Sequence, residues 1–212
     1  MSTNLDVASY LHHAFILVAG ELLHTPRVRL LTKDAQLVIA ADGGARHALA
    51  LGLEVTCWVG DFDSSEGIFL DAPRQTFPRE KDSTDLELAL LCAKERGATS
   101  ATILGAFGGR FDHALGIALL AAKESRAGFE VRLESGSESA WVLTGQHSIA
   151  LEHGQTFSVL ALEPSQISLS GAKWNLSNAQ LLVGSGLGIS NIALGEVFVE
   201  VHSGCALLVA QF

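Results

Sequence analysis

The feature that most constrains the fold is a repeated succession in the first 135 residues: a short apolar run, a turn rich in glycine or aspartate, and then a helical pattern. The apolar runs at 14–19, 37–41, 55–59 and 101–104 have the length and composition of buried strands. The clearest helical pattern runs from Phe111 to Glu124. Strands that alternate with helices in this way predict a parallel sheet with right-handed crossovers. We therefore expect residues 1–135 to form a Rossmann-like α/β domain.

Two carboxylates follow the third of these strands. Asp61 and Asp63 alternate just after the run 55–59, and the period of two in a strand would point both side chains the same way. The strands of a parallel sheet end at one edge, so Asp42 and the glycine loop 105–110 should meet the pair there. Like charges this close repel by roughly 1 kcal/mol in water and about 4 at a surface-like dielectric, which favours a bound cation. Oxygen ligands favour Mg²⁺, although a solvated acidic turn is the structural alternative.

The stretch GAFGGRFDH (105–113) combines a glycine-rich turn with a basic side chain. Its glycines let backbone N–H groups approach a phosphate at the start of a helix, and Arg110 can bind phosphate oxygens in a bidentate manner. The stretch is neither a Walker loop nor a GxGxxG fingerprint. A turn that merely joins strand to helix explains it equally well.

The stretch KDSTD (81–85) places the cation of Lys81 among carboxylates and hydroxyls. These residues could join the site at the edge of the sheet, because they open a helix after the next short segment. They could equally serve to start that helix, where Thr84 and Glu87 have the spacing of a capping box.

The helical pattern stops at SGSES (135–139), whose composition is typical of a linker. Beyond it, short alternating runs predict a small all-β domain at 136–212, a sandwich or roll. Its clearest feature is a hairpin of two strands, 197–201 and 206–210, joined through Ser203-Gly204. The other predicted strands are 140–143, 149–151, 157–162, 167–169 and 181–183.

Charge and cysteine usage exclude several classes of protein. Fourteen Lys and Arg against 23 Asp and Glu give a net charge of -9, without a basic run, which argues against nucleic acid as a partner. The three cysteines form no CxxC, which argues against a zinc site and a disulfide framework and is typical of a reducing cytoplasm. No apolar run approaches the ~18 residues of a membrane span, and we expect no targeting segment. The sequence predicts a cytoplasmic, globular protein.

Six segments together resemble the ordered motif set of the thiamine pyrophosphokinases. They are ADGGA (41–45), GDFDS (60–64), KDSTDLE (81–87), GAFGGRFDH (105–113), GAKWNL (171–176) and GISN (188–191). The resemblance spans nearly the whole chain. It implies a homodimeric, Mg²⁺-dependent enzyme that transfers the pyrophosphoryl group of ATP to the hydroxyethyl oxygen of thiamine and releases AMP. It also implies an α/β domain that binds ATP, followed by a β domain that contributes to thiamine binding and dimerisation.

The resemblance also implies roles for individual residues. The metal-binding and catalytic carboxylates would be Asp61, Asp63 and Asp85, with Asp42 and Lys81 beside them in the catalytic centre. The ATP site would comprise Gly43, Gly44, Asp82, Gly108, Gly109, Arg110 and Asp112. The thiamine site would comprise Trp174, Ser190 and Asn191. Two departures from the family pattern concern nucleotide contacts: Ile117 replaces a frequent Asn, and Gly20-Glu21 replaces a frequent glycine pair.

Two other functions fit parts of the sequence. A Mg-dependent phosphohydrolase would use Asp61 as an aspartyl nucleophile in a motif of the haloacid dehalogenase type, but here Gly60 separates that acid from its strand. A protein-binding β domain with a calcium-stabilised acidic surface is the non-enzymatic alternative. The hydrolase would release phosphate without thiamine, and the binding module would consume no ATP.

Overall fold

The computed structural model describes residues 12–77 and 83–212, which form a mixed α/β fold with more strand than helix. No helix in these two ranges is long and apolar enough to cross a membrane. Their elements, in chain order, are β1 (His13–Leu17), α1 (Pro26–Thr32), β2 (Leu37–Ala41), a 3₁₀ turn (Asp42–Gly44), α2 (Ala45–Leu51), β3 (Cys57–Gly60), β4 (Arg74–Thr76), α3 (Asp85–Glu95), β5 (Ser100–Leu104), α4 (Phe111–Arg126), β6 (Glu130–Glu134), β7 (Glu138–Ile149), β8 (Thr156–Ala161), β9 (Ser165–Ala172), β10 (Leu176–Leu181) and β11 (Asn191–Gln211).

The chain divides into two compact units. The first comprises the described residues up to Ile117 together with Leu133–Gly136, and the second comprises Ala118–Arg132 and Ser137–Phe212. Helix α4 and strand β6 are therefore each divided between the two units.

The first unit contains a sheet in the order β5-β1-β2-β3-β4, in which every neighbouring pair is parallel. The expected parallel arrangement is confirmed. Strand β1 pairs with β5 on one side and with β2 on the other, so the order of strands reverses there. Apolar side chains such as Ile16, Ile39 and Trp58 are fully buried, which explains why the strands are continuous apolar runs.

Local sequence signals set the ends of the helices in this unit. Thr84 caps α3, and its side chain and that of Glu87 form the predicted capping box. Gly52 caps the C-terminus of helix α2, and its φ of 70° lies in the left-handed region that glycine tolerates.

Residues 137–212 contain strands and turns but no helix. Strands β10, β9, β11 and β7 are antiparallel neighbours, and β8 also pairs with β11, where Leu207 lies opposite Leu160 and Leu208 opposite Val159. The core of these strands is apolar and includes Leu143, Phe157 and Ile167.

The predicted hairpin in this region is wrong. Residues 197–201 and 206–210 belong to the single strand β11, and both parts pair antiparallel with β7. The register shifts between Val201 and Ala206, where β11 carries extra residues and Gly204 adopts a φ of 88°. The Ser-Gly pair thus forms a bulge, not a turn. The predicted linker, residues 135–139, extends too far, because β7 already begins at Glu138.

Candidate active site

Three carboxylates meet at the ends of the neighbouring parallel strands β2 and β3. One carboxylate oxygen each from Asp42, Asp61 and Asp63 lies within 4.8 Å of the others, and we call these residues the acidic cluster. Asp42 is buried, Asp61 is half-buried and Asp63 is exposed. The structure thus brings together the three acids that the sequence predicts to meet, with one side of the cluster open to solvent.

The backbone around the acidic cluster is unusual. Asp42 and Phe62 have φ angles of 43° and 65°, in the left-handed region that residues other than glycine rarely adopt. Gly60 lies so close to Asp42 that an added Cβ would be 3.1 Å from the Asp42 Cβ. Glycine at this position therefore allows the end of β3 to approach the turn that follows β2.

Hydrogen bonds hold Asp42 in one orientation. Ser64 Oγ donates to Oδ2 at 2.6 Å and Ser65 Oγ donates to Oδ1 at 2.5 Å. The indole N–H of Trp58 donates to the Asp42 carbonyl at 2.9 Å. Sequence reasoning missed Ser65 and Trp58 as site residues. The position of Ser65 beside the GDFDS motif was a weak signal, whereas Trp58 gave none because it resembles any other core residue of a strand.

The acidic cluster has suitable ligands for a hard divalent cation. Mg²⁺ binds oxygen atoms at about 2.0–2.1 Å, so two of its ligands lie at most about 4.2 Å apart. The separations in the cluster, within 4.8 Å, require only small movements to reach this geometry. Each carboxylate oxygen of Asp42 accepts a hydrogen bond from one serine hydroxyl and has a second lone pair for a metal.

Not all predicted catalytic residues lie in this group. Asp85 is the first residue of α3, directly after the N-cap Thr84. Among residues 12–77 and 83–212, the acidic cluster consists of Asp42, Asp61 and Asp63 and does not include Asp85. Lys81 and Asp82 lie outside the described residues.

The two glycines after Asp42 are both buried in the 3₁₀ turn. A Cβ on Gly44 would lie 2.2 Å from the carbonyl oxygen of Leu17, and one on Gly43 would lie 3.0 Å from Ser64 Oγ. The close approach of the Leu17 backbone therefore explains Gly44 without a ligand, whereas the contacts at Gly43 are looser.

In the glycine loop, Gly108 and Gly109 both have positive φ angles, 77° and 68°. Arg110 and Asp112 follow as an exposed ion pair, with Arg110 Nη2 2.6 Å from Asp112 Oδ2. The hydrogen bond from Arg110 lowers the pKa of Asp112, and the same bond raises the pKa of Arg110. Ile117, one of the two departures from the family pattern, is half-buried on α4.

The loops that follow β1 and β5 contact each other. The backbone N–H of Glu21 donates to the Phe107 carbonyl at 3.1 Å. A Cβ on Gly20 would lie 2.1 Å from the Gly105 carbonyl oxygen, so this position requires glycine. Glu21, the other departure, packs its side chain against Gly108, where an added Cβ would be 2.9 Å from Glu21 Oε2.

A buried histidine supports the first of these loops. His47 Nε2 lies 2.9 Å from the Gly20 carbonyl, to which it donates, and His47 Nδ1 lies 3.3 Å from His24 Nε2. Burial lowers the pKa of His47 below its ordinary value of 6.5 and outweighs the hydrogen bond to the Gly20 carbonyl, which raises the pKa, while His24 and Arg46 add smaller lowering effects. The side chain is thus neutral at pH 7.

The predicted thiamine-site residues lie in the second unit. Trp174 is 52% exposed, with Lys173 Nζ 4.6 Å from its ring. Asn191 is buried and holds the backbone of Trp174, because its Nδ2 donates to the Trp174 carbonyl at 2.8 Å and its Oδ1 accepts from the Trp174 N–H at 3.2 Å. Ser190 is exposed, with a φ of 58°, and its N–H donates to Ser158 Oγ. The exposed indole is not a core aromatic.

Two protein-family models match this chain, and both describe domains of one class of enzyme, the kinases. The model described as "Thiamin pyrophosphokinase, catalytic domain" matches residues 28–133, and "Thiamin pyrophosphokinase, vitamin B1 binding domain" matches residues 146–206. A curated thiamine pyrophosphokinase of Bacillus subtilis is 30% identical over 186 residues, which cover 83% of this chain and 87% of the relative. The chain belongs to the thiamine pyrophosphokinase family. These matches do not support the alternative of a phosphohydrolase.

Solved structures show the same fold. The thiamine pyrophosphokinase of Bacillus subtilis is 25% identical, with a TM-score of 0.77 over 94% of this chain and 98% of that chain. A family protein from Enterococcus faecalis is 24% identical, with a TM-score of 0.78 over 94% and 99% of the two chains. The enzyme of Candida albicans is only 17% identical but still has a TM-score of 0.76, over 96% and 90%.

Proposed function

We propose that this chain transfers the pyrophosphoryl group of ATP to thiamine, giving thiamine diphosphate and AMP. The observation that carries the proposal is the acidic cluster, three carboxylates within 4.8 Å at the carboxyl edge of a parallel sheet, in a member of the thiamine pyrophosphokinase family. A protein with a net charge of -9 attracts a triphosphate only where a metal and local cations offset that charge.

The proposed cofactor is Mg²⁺. Asp61 and Asp63 are the proposed ligands, together with Asp85, and Asp42 is the further carboxylate that lies within reach of the first two. When bound, Mg²⁺ would neutralise charge on the phosphate oxygens of ATP. The Ser64 and Ser65 hydroxyls hold the Asp42 carboxylate in place, so part of the site is ordered before any ligand arrives.

The proposed nucleotide site lies where the strand order reverses at β1, because ligands of open α/β sheets bind at such switch points. We propose that the first unit is Rossmann-like because it is a parallel sheet whose strand order reverses at β1. The glycine loop begins there, and its backbone N–H groups and the start of α4 favour an anion. We propose that Gly108 and Gly109 contact phosphate and that Arg110 exchanges its exposed partner Asp112 for phosphate oxygens. Gly43, Gly44, Asp82 and Lys81 complete the proposed ATP and catalytic residues.

The proposed thiamine site uses the exposed face of Trp174. Thiamine is a flat cation, so stacking and cation–π attraction can contribute roughly 0.5–2 kcal/mol. The exposed hydroxyl of Ser190 can bond to the ligand, and Asn191 keeps the Trp174 backbone in place through both ends of its amide.

We also propose that β7 to β11 form a sandwich or roll and that the enzyme is a homodimer. We propose that the enzyme is cytoplasmic, since its three cysteines are free and buried.

The proposed reaction is a direct displacement. The hydroxyethyl oxygen of thiamine bonds to the β-phosphorus of ATP, the bond from that phosphorus to the oxygen bridging to the α-phosphorus breaks, and AMP leaves with the bonding electron pair. A carboxylate of the acidic cluster accepts the hydroxyl proton. Arg110 and Lys81 stabilise the charge that develops on the phosphate oxygens. No covalent intermediate with the enzyme is required, because positioning and charge neutralisation supply most of phosphoryl-transfer catalysis.

Product analysis tests this function. The purified chain is incubated with ATP, Mg²⁺ and thiamine, and the products are identified by mass, with parallel reactions that omit thiamine or Mg²⁺. We expect AMP and thiamine diphosphate in equal amounts, and neither without thiamine. ADP with thiamine monophosphate, phosphate released without thiamine, or no consumption of ATP would each contradict the proposal.

A further inference from the structure

We propose that Trp58 is a positioning residue that holds the acidic cluster in shape. This inference rests on the proposed metal-binding role of the cluster. Trp58 lies on β3 and is fully buried, so its position in the sequence alone suggests an ordinary core residue. Its contacts, however, reach both parts of the cluster: Asp42 after β2, and the turn that contains Asp61 and Asp63 after β3.

The first contact fixes the Asp42 backbone. The indole N–H of Trp58 donates to the Asp42 carbonyl at 2.9 Å, a bond between buried groups. Asp42 has a φ of 43°, and a residue other than glycine keeps such a conformation only where its surroundings impose it. A buried indole N–H without an acceptor is costly, so the bond fixes Asp42 and Trp58 relative to each other.

The second contact fixes the turn between the other two carboxylates. Phe62 lies between Asp61 and Asp63 and has a φ of 65°, again in the left-handed region. Its ring packs edge-to-face on Trp58, with the ring centroids 5.1 Å apart and an interplanar angle of 82°. The Asp63 N–H donates to Asp61 Oδ1 at 3.1 Å within the same turn. Holding the Phe62 ring therefore holds the backbone from which both carboxylates project.

Arg74 completes this arrangement from the next strand. It is the register partner of Trp58 in the β3–β4 pair, and its guanidinium lies 4.5 Å from the Trp58 ring and 5.1 Å from the Phe62 ring. The cation thus covers the two rings that support the turn. Trp58 thus contacts both residues of the site that have left-handed backbone angles, Asp42 and Phe62. Metal sites require such support from the groups behind their ligands.

The test measures metal binding without substrates, using the full chain and Mn²⁺, a divalent ion that carboxylates bind as they bind Mg²⁺. Calorimetric titration compares wild type, Trp58→Phe and the matched control Trp141→Phe. The control also removes an indole beneath a stacked arginine, since Arg132 lies 4.9 Å from the Trp141 ring. We expect Trp58→Phe to weaken Mn²⁺ binding about ten- to hundredfold, the usual effect of losing a group that supports metal ligands. Trp141→Phe should bind Mn²⁺ as wild type does.

Each other outcome has one meaning. Equal Mn²⁺ affinities in wild type and Trp58→Phe overturn this inference and leave the metal role intact, whereas absence of binding to wild type overturns both. An equal loss of affinity in Trp141→Phe shows a general packing effect and also overturns the inference. If circular dichroism shows that Trp58→Phe does not fold, Phe62→Leu replaces it, because leucine keeps apolar bulk and loses the ring edge. Unchanged affinity in Phe62→Leu then overturns the inference.

Discussion

Replacing Ser65 by Ala isolates the hydrogen bond that supports the buried carboxylate of the acidic cluster. Ser65 is only 7% exposed, and its hydroxyl donates to Asp42 Oδ1 at 2.5 Å. A hydrogen bond to a charged group contributes about 1.5–3 kcal/mol, and burial of both partners prevents water from replacing the lost donor. We expect Ser65→Ala to lower the free energy of unfolding by that amount, which corresponds to about 1 M in the urea midpoint.

Ser64→Ala is the matched comparison. Ser64 donates to the other oxygen of the same carboxylate at 2.6 Å, but it is exposed, so water can take its place. Its loss should therefore cost less than about 1.5 kcal/mol. Urea unfolding is followed by tryptophan fluorescence at pH 7 in EDTA. The chain has three tryptophans, so both variants are made in a background with Trp141 and Trp174 replaced by Phe, in which Trp58 is the only fluorescent indole. An unchanged stability in Ser65→Ala, or a larger loss in Ser64→Ala, would refute the reasoning.

Three further predictions concern catalysis and pH. Asp63→Asn should remove most activity at saturating Mg²⁺ with the fold intact, whereas the exposed control Asp71→Asn keeps it; near-normal turnover in the first variant would argue against a metal ligand. Trp174→Leu should raise the KM for thiamine with little change in the KM for ATP or in stability, and an unchanged KM for thiamine or a loss of several kcal/mol of stability would contradict the ligand-stacking role. Because the pKa of His47 is lowered in the folded state, stability should fall as the pH drops below about 6.5, since the unfolded chain binds the proton more tightly. His47→Gln, which keeps a donor for Gly20, should weaken that dependence, and an equally steep loss in the variant would contradict the assignment.

Much of the first unit could be predicted because its signals are local. Strand β2 has the bounds of the apolar run 37–41, and the capping box of Thr84 and Glu87 starts α3 as predicted. The meeting of Asp42 with Asp61 and Asp63 followed from a single rule, that parallel strands end at one edge of their sheet.

The remaining features depend on partners far away in the chain. Ser203-Gly204 has the composition of a hairpin turn, but pairing with β7 on both sides of it makes it a bulge in β11. No local pattern indicates that the Trp58 indole donates to Asp42, since this contact exists only once β2 and β3 are neighbours. Strand β6, Glu130–Glu134, was not predicted, because its apolar residues alternate with charged ones over only five positions.

The most direct measurement of the central claim follows the hydroxyethyl oxygen of thiamine. Thiamine labelled with ¹⁸O at that position is incubated with the enzyme, ATP and Mg²⁺ in unlabelled water, and the products are analysed by mass. Attack on the β-phosphorus predicts that the label stays in thiamine diphosphate, with an equal amount of unlabelled AMP. Label in AMP, unlabelled thiamine diphosphate, or ADP with labelled thiamine monophosphate as the first products would contradict direct transfer of the pyrophosphoryl group.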